Sequence, residues 1–165
     1  MSKEKGNKEL DIIIETPKHS RNKYAYNKKK QGYELKKILP AGAVFPFDFG
    51  FVPGTVGGDG DPVDVLVIMD EPAFPGCYVK VRIIGALKAE QRVKNKMREN
   101  NRIIAVSTSS RMYEGLNEIK DLDENVKEEI THFFISYNEV EGKQFNPKGW
   151  ADAGEATKII KKSQV

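Results

Sequence analysis

The chain has 165 residues with 27 basic and 24 acidic side chains, a net charge of +3 and one cysteine, Cys77. That length suits one domain, residues 1–165, with its own core, and a lone thiol excludes an intrachain disulfide and a cysteine zinc site. No run reaches the roughly 18 apolar residues of a membrane span, and the charged residues 1–10 lack the apolar segment of a secretory signal, so a cytoplasmic protein is expected.

Residues 1–9 read as a mobile polar arm. Ile12, Ile13 and Ile14 form a short apolar run stopped by Pro17, which suits a strand end. Tyr24, Tyr26, Tyr33 and Leu35 flank a polar centre, a hairpin pattern with its turn near Gln31 and Gly32. Segment 40–58 mixes Pro, Gly and Phe without a helical period and reads as loops and short bends. Residues 63–69 are apolar and rich in β-branched types between Pro62 and Pro72, which predicts a buried strand. A strand follows at 77–87, where Val79, Val81 and Ile83 alternate with Lys80, Arg82 and Ile84, and Cys77 is read as a small buried hydrophobe near a turn.

Residues 88–101 are almost wholly polar and read as an exposed loop, followed by a short strand at 103–106. The period then becomes helical. Val126, Ile130, Phe133, Phe134 and Tyr137 share a face behind Asp123 as N-cap, and a second helix is predicted at 153–162 with Ala156, Ile159 and Ile160 inward. Short strands followed by two helices predict an α+β fold, mainly β, built on a small antiparallel sheet or barrel.

The densest chemical signal is Gly58-Asp59-Gly60-Asp61-Pro62-Val63-Asp64, directly before the apolar run. Asp59 and Asp61 share a face in extended backbone because the side-chain period is two. Gly60 and Pro62 shape a bend that returns Asp64 toward them. Carboxylates this close repel unless a cation neutralises them, and oxygen-only ligands suit hard ions such as Mg²⁺ or Mn²⁺. A solvated acidic turn is the bland alternative. An EF-hand loop fails because its sixth position, normally Gly, is Asp64.

The run from Asp59 to Val65 resembles the signature of the family I (soluble) inorganic pyrophosphatases. Arg21-Asn22-Lys23-Tyr24, Gly50-Phe51-Val52-Pro53-Gly54-Thr55, Pro75-Gly76-Cys77, Ile103-Ile104-Ala105-Val106, Tyr113-Glu114-Gly115 and His132-Phe133-Phe134 stand in the order that family shows. The likeness covers residues 11–160. It implies an OB-like five-stranded barrel with flanking C-terminal helices, and pyrophosphate hydrolysis by a metal-activated water without a covalent intermediate. It also implies several Mg²⁺ (or Mn²⁺) ions per site and a homo-oligomer, hexameric in bacterial members.

By position, Asp59 and Asp64 resemble metal ligands, and Asp61 resembles both a ligand and the base for the attacking water. Glu15 matches a carboxylate holding a further metal or its waters. Lys23, Tyr137 and Lys143 match groups that contact phosphate oxygens. Lys37 stands where an arginine is common, Phe49 for a tyrosine, Ala25 for a glutamate and Asn138 for a lysine. In the longer 88–102 stretch, Glu90 or Gln91 and then Asn100 align with two metal-binding aspartates, and Arg102 with a lysine that follows them. Glu90 is the expected additional ligand and Arg102 an additional substrate contact. The lost carboxylates predict weaker affinity for at least one metal with turnover retained; a catalytically impaired binding protein is the alternative. The basic first quarter also admits an OB-type nucleic-acid module, which the acidic cluster disfavours; the resemblance implies pyrophosphate as the partner.

Overall fold

The five strands that form the body of this molecule close on themselves. The computed structural model describes residues 9–165, leaving aside the side chain of Val93. The arm expected at residues 1–9 therefore lies outside the described residues except for Glu9, which opens the first strand. Strands β1 (Glu9–Thr16), β4 (Asp48–Phe51), β5 (Asp64–Ile68), β8 (Arg102–Ser107) and β6 (Tyr78–Val93) pair in that order, and β6 returns to β1. The ring contains one parallel pair, β5 with β8. This is the expected OB-like barrel, and closure leaves its strands without free edges.

Burial on both faces explains the continuous apolar run of β5. Val65 and Val67 join Ile12, Ile14, Val81, Ile83, Ile103 and Ala105 in one core cluster, while Leu66 and Ile68 join Ile104 and Val106 in the other. A strand buried on both sides has no polar face to show. The second cluster is completed by Ile130, Phe134 and Tyr137 of α1 (Glu124–Val140), the first by Ala156 and Ile160 of α2 (Ala153–Ser163). Both helices start where expected: the side chain of Asp123 accepts from Asn125 N at 2.8 Å, and that of Asp152 from Glu155 N at 2.8 Å.

Strands β2 (Asn22–Asn27) and β3 (Gly32–Ile38) form the predicted tyrosine hairpin. Its turn occupies residues 28–31, where Gln31 has φ 55° and Asn27 Oδ1 accepts from Lys30 N. The remaining differences concern polar strands. Residues 88–101 are not a loop: β6 runs 16 residues and folds back as a hairpin with β7 (Lys96–Glu99). The mostly polar composition of this hairpin hides the pairing; among its described side chains Ala89, Gln91 and Asn100 are buried. Within 40–58, strand β4 appears where Gly50 lets β1 approach, since a Cβ there would meet Ile13 O at 2.2 Å. Strand β9 (Gln144–Asp152) pairs along β6 despite Pro147 and Gly149, which sit beside a register shift. Cys77 is half-buried and packs against the first cluster.

Candidate active site

An acidic and a basic group of side chains meet at one end of the barrel. The acidic group is set by a tight loop. Gly57 N donates to Asp61 O at 2.7 Å, Gly60 N to Gly57 O at 3.0 Å, and Asp61 N to the Asp59 carboxylate at 3.1 Å. Gly60 adopts φ 86°, a left-handed conformation that glycine takes without strain. Val63 N then donates to Thr55 Oγ1 at 3.0 Å, which pins the chain before Asp64 opens β5. Glu15, near the end of β1, accepts from Tyr26 N at 3.2 Å.

The carboxylates feel one another. Burial raises the pKa of Asp64 to about 6; Arg102 opposes the shift, and Asp59 and Asp61 add to it. Glu15 is raised mainly by burial and also by Asp64 and Asp61, against the pull of Tyr26 N–H and Lys23. Asp64 is held by the guanidinium of Arg102, which also bonds Asn100 Oδ1 and lies over the Phe134 ring. Behind it runs a buried chain of amides: Asn100 Nδ2 donates to Gln91 Oε1 at 2.6 Å, Gln91 Nε2 to Asn138 Oδ1 at 2.9 Å, and Asn138 Nδ2 to Phe134 O at 2.7 Å. The departures at 91, 100 and 138 are therefore one connected neutral network.

The basic group comes from the hairpin and the end of α1. Lys23 and Lys37 are cross-strand partners in β2 and β3, so their side chains leave the same face. Their ammoniums sit 5.1 and 4.4 Å from the ring centroid of Tyr137. Lys143 follows α1 and lines a cleft of about 500 Å³ together with Asp59, Asp61 and Gln91. Burial, with the charges of Lys23 and Lys143, pulls Lys37 down to about 8. Among the described residues, Tyr137 Oη and Arg102 Nε are the buried side-chain polar atoms without a hydrogen-bond partner.

Asp59, Asp61, Asp64, Glu15 and Arg102 are thus gathered, as are Lys23, Lys37, Lys143 and Tyr137. Glu90 is not with them. It faces Lys148 at 3.6 Å and lines a different cleft with Lys88 and Arg98, while its neighbour Gln91 turns inward. Glu141 was not foreseen, although it ion-pairs with all three lysines. Its one sequence signal is an acid at a helix C-terminus, where the helix dipole disfavours negative charge.

The sequence profile described as inorganic pyrophosphatase matches residues 12–165. The chain belongs to the inorganic pyrophosphatase family. A relative of that name from Leifsonia xyli is 40% identical over 151 residues, covering 91% of this chain and 90% of the relative. One from Halalkalibacterium halodurans is 35% identical, covering 93% and 91%. The solved inorganic pyrophosphatase from Coxiella burnetii superposes with a TM-score of 0.86 at 34% identity, covering 99% of this chain and 97% of that one. The family is metal-dependent. Carboxylates that raise one another's proton affinity fit such ions in type, since a dication relieves their repulsion. Among the described residues no three His, Cys, Asp or Glu groups converge as a formed ligand set, and Asp64 is held by Arg102. Ligands fitting in type would therefore close on an ion from separate positions.

Proposed function

We propose that the protein hydrolyses inorganic pyrophosphate to two phosphates, with Mg²⁺ or Mn²⁺ ions held by Asp59, Asp61 and Asp64 and a further one, or its waters, by Glu15. The observation that carries this reading is the meeting of the acidic and basic groups: Lys143 shares a cleft with Asp59 and Asp61, and Lys23 acts electrostatically on both Glu15 and Asp64. Pyrophosphate needs such a divided site, with cations against its oxygens and an acceptor for the proton of the attacking water. Bound divalent ions supply charge neutralisation and make a water more acidic.

The chain's own groups do the rest. Asp61 is the exposed carboxylate of the loop, fixed through its backbone, and accepts the water proton. Lys23, Lys37 and Lys143 hold phosphoryl oxygens as charged donors. The free Tyr137 hydroxyl offers one more donor at the same place. Arg102 orients Asp64 and, at this site, adds a fixed positive charge beside the substrate. Lys37 keeps the charge of the arginine common at its position but not its bidentate fork.

Phosphate release from pyrophosphate, with and without Mg²⁺ and beside Asp61→Asn, tests the proposal. Metal-dependent release that the substitution lowers by orders of magnitude supports it. No release with Mg²⁺ or Mn²⁺ overturns it in favour of a pyrophosphatase-like binding protein. Among the described residues no helix is long and apolar enough to cross a membrane, and action in the cytoplasm is part of the proposal. So is a homo-oligomer, a hexamer by family resemblance, which light scattering on the purified protein checks.

A further inference from the structure

Three lysine ammoniums converge on one carboxylate at the end of α1. Glu141 Oε1 lies 3.8 Å from Lys23 Nζ and bonds Lys37 Nζ, while Oε2 lies 3.2 Å from Lys143 Nζ. These are the lysines assigned above to the phosphoryl oxygens of the substrate, so this inference rests on that reading.

Several features mark Glu141 as an occupant of this position. It caps the C-terminus of α1, where the helix dipole opposes an anion, so the lysines are what hold its charge there. Its side chain is only 18% exposed. One carboxylate among three ammoniums leaves positive charge in excess; burial first, and then the charges of Lys23 and Lys143, pull Lys37 down to about 8. A carboxylate has two oxygens, so Oε1 serves both Lys23 and Lys37. A phosphoryl group brings three oxygens and a larger charge, and so answers each lysine separately.

The backbone around Glu141 is fixed. Glu141 N and Lys143 N both donate to Asn138 O, at 3.0 and 2.9 Å, and Gly142 N donates to Glu139 O at 2.9 Å. Release of the carboxylate is therefore a side-chain rotation that leaves the helix end in place.

We propose that Glu141 is an internal counter-anion that occupies the phosphoryl position of Lys23, Lys37 and Lys143 and must be displaced by the incoming substrate. It holds the lysines together before binding. By competing for them, it weakens retention of the product phosphate.

Titration calorimetry with inorganic phosphate, in metal-free buffer, on wild type, Glu141→Gln and Glu141→Ala reads the competition directly. Removing the competitor is expected to tighten phosphate binding about tenfold in both variants, the size of one charge-assisted contact. In Mg²⁺-dependent turnover, KM falls and product inhibition by phosphate strengthens by a similar factor. Unchanged or weaker phosphate binding in variants that keep the wild-type circular dichroism overturns the proposal and makes Glu141 a scaffold for the lysines. The titration needs no turnover, so a wild type that fails to hydrolyse pyrophosphate defeats the functional reading alone.

Discussion

Asn138 is the centre of the buried amide network, and replacing it with leucine tests whether that network holds the site's back wall. The residue is 1% exposed, and leucine keeps its branched four-heavy-atom skeleton, so no cavity opens, although the bulkier methyl groups add some overpacking cost. What changes is the hydrogen bonding. Gln91 Nε2, which reached Asn138 Oδ1 at 2.9 Å, is left buried without its acceptor. An unsatisfied buried polar group costs about 1–3 kcal/mol, which lowers Tm by roughly 2–12 °C for a chain of this size. Urea unfolding followed by the fluorescence of Trp150 measures the change, with an unchanged m-value marking a stability effect. The double variant with Gln91→Leu sharpens the test. Gln91→Leu alone strands Asn138 Oδ1 and Asn100 Nδ2, whereas the double strands only the Asn100 amide. The two losses should therefore be less than additive, by about 2–3 kcal/mol, since two of the three stranded groups are absent from the double variant. Full additivity, or an Asn138→Leu protein within about 0.5 kcal/mol of wild type, refutes the reasoning.

Further outcomes follow from the site. Asp61→Asn should lower kcat at saturating Mg²⁺ by about 10²–10⁴-fold, the usual worth of a positioned general base; a phosphate-release assay showing less than tenfold loss would falsify its role. Lys37 has its pKa depressed from 10.5 to about 8, so it is charged below that pH and loses its charge as pH rises through it. Accordingly, kcat/KM for pyrophosphate should fall above about pH 8 in wild type, while Lys37→Arg, which stays charged, holds its value at pH 9. Asp64→Asn leaves Arg102 buried without its carboxylate but also removes a charge that burial disfavours, as the raised pKa of about 6 records. With the two effects opposed, urea unfolding at pH 7 without metal should give a stability within about 1 kcal/mol of wild type. Mg²⁺ at about 100 times its Kd should stabilise the wild type by about 2.7 kcal/mol, a gain that EDTA reverses in a thermal melt.

Much of the barrel was legible because its strands carry their own periodicity. Residues 63–69 announced a buried strand and 103–106 a short one, and the helical face from Val126 to Tyr137 announced α1, since apolar burial on one or both faces leaves a local pattern. The hairpin at 88–101 and strand β9 left none. Their pairing is backbone to backbone, with mostly polar side chains facing water, and Pro147 and Gly149 argue locally against a strand that β6 nonetheless supports. For the site, the Asp59–Asp61–Asp64 spacing was readable because one short loop and the first residue of the strand after it supply all three.

The sequence by itself determined the chemical inventory: clustered carboxylates, lysines without cysteine or histidine partners, a mainly β core, and the family to which these belong. It also marked position 90 or 91, position 100 and position 138 as unusual, one at a time. Only the tertiary structure decided that those three are a single hydrogen-bonded network, that Gln91 and not Glu90 turns inward, and that Glu141 sits among the lysines. Residues 47 and 104 positions apart, as Gln91 and Asn138 or Lys37 and Glu141 are, meet because α1 packs on the barrel and the separate β2–β3 hairpin reaches the end of that helix. Local patterns carry no record of that distance, since the packing of one element on another is a property of the whole fold.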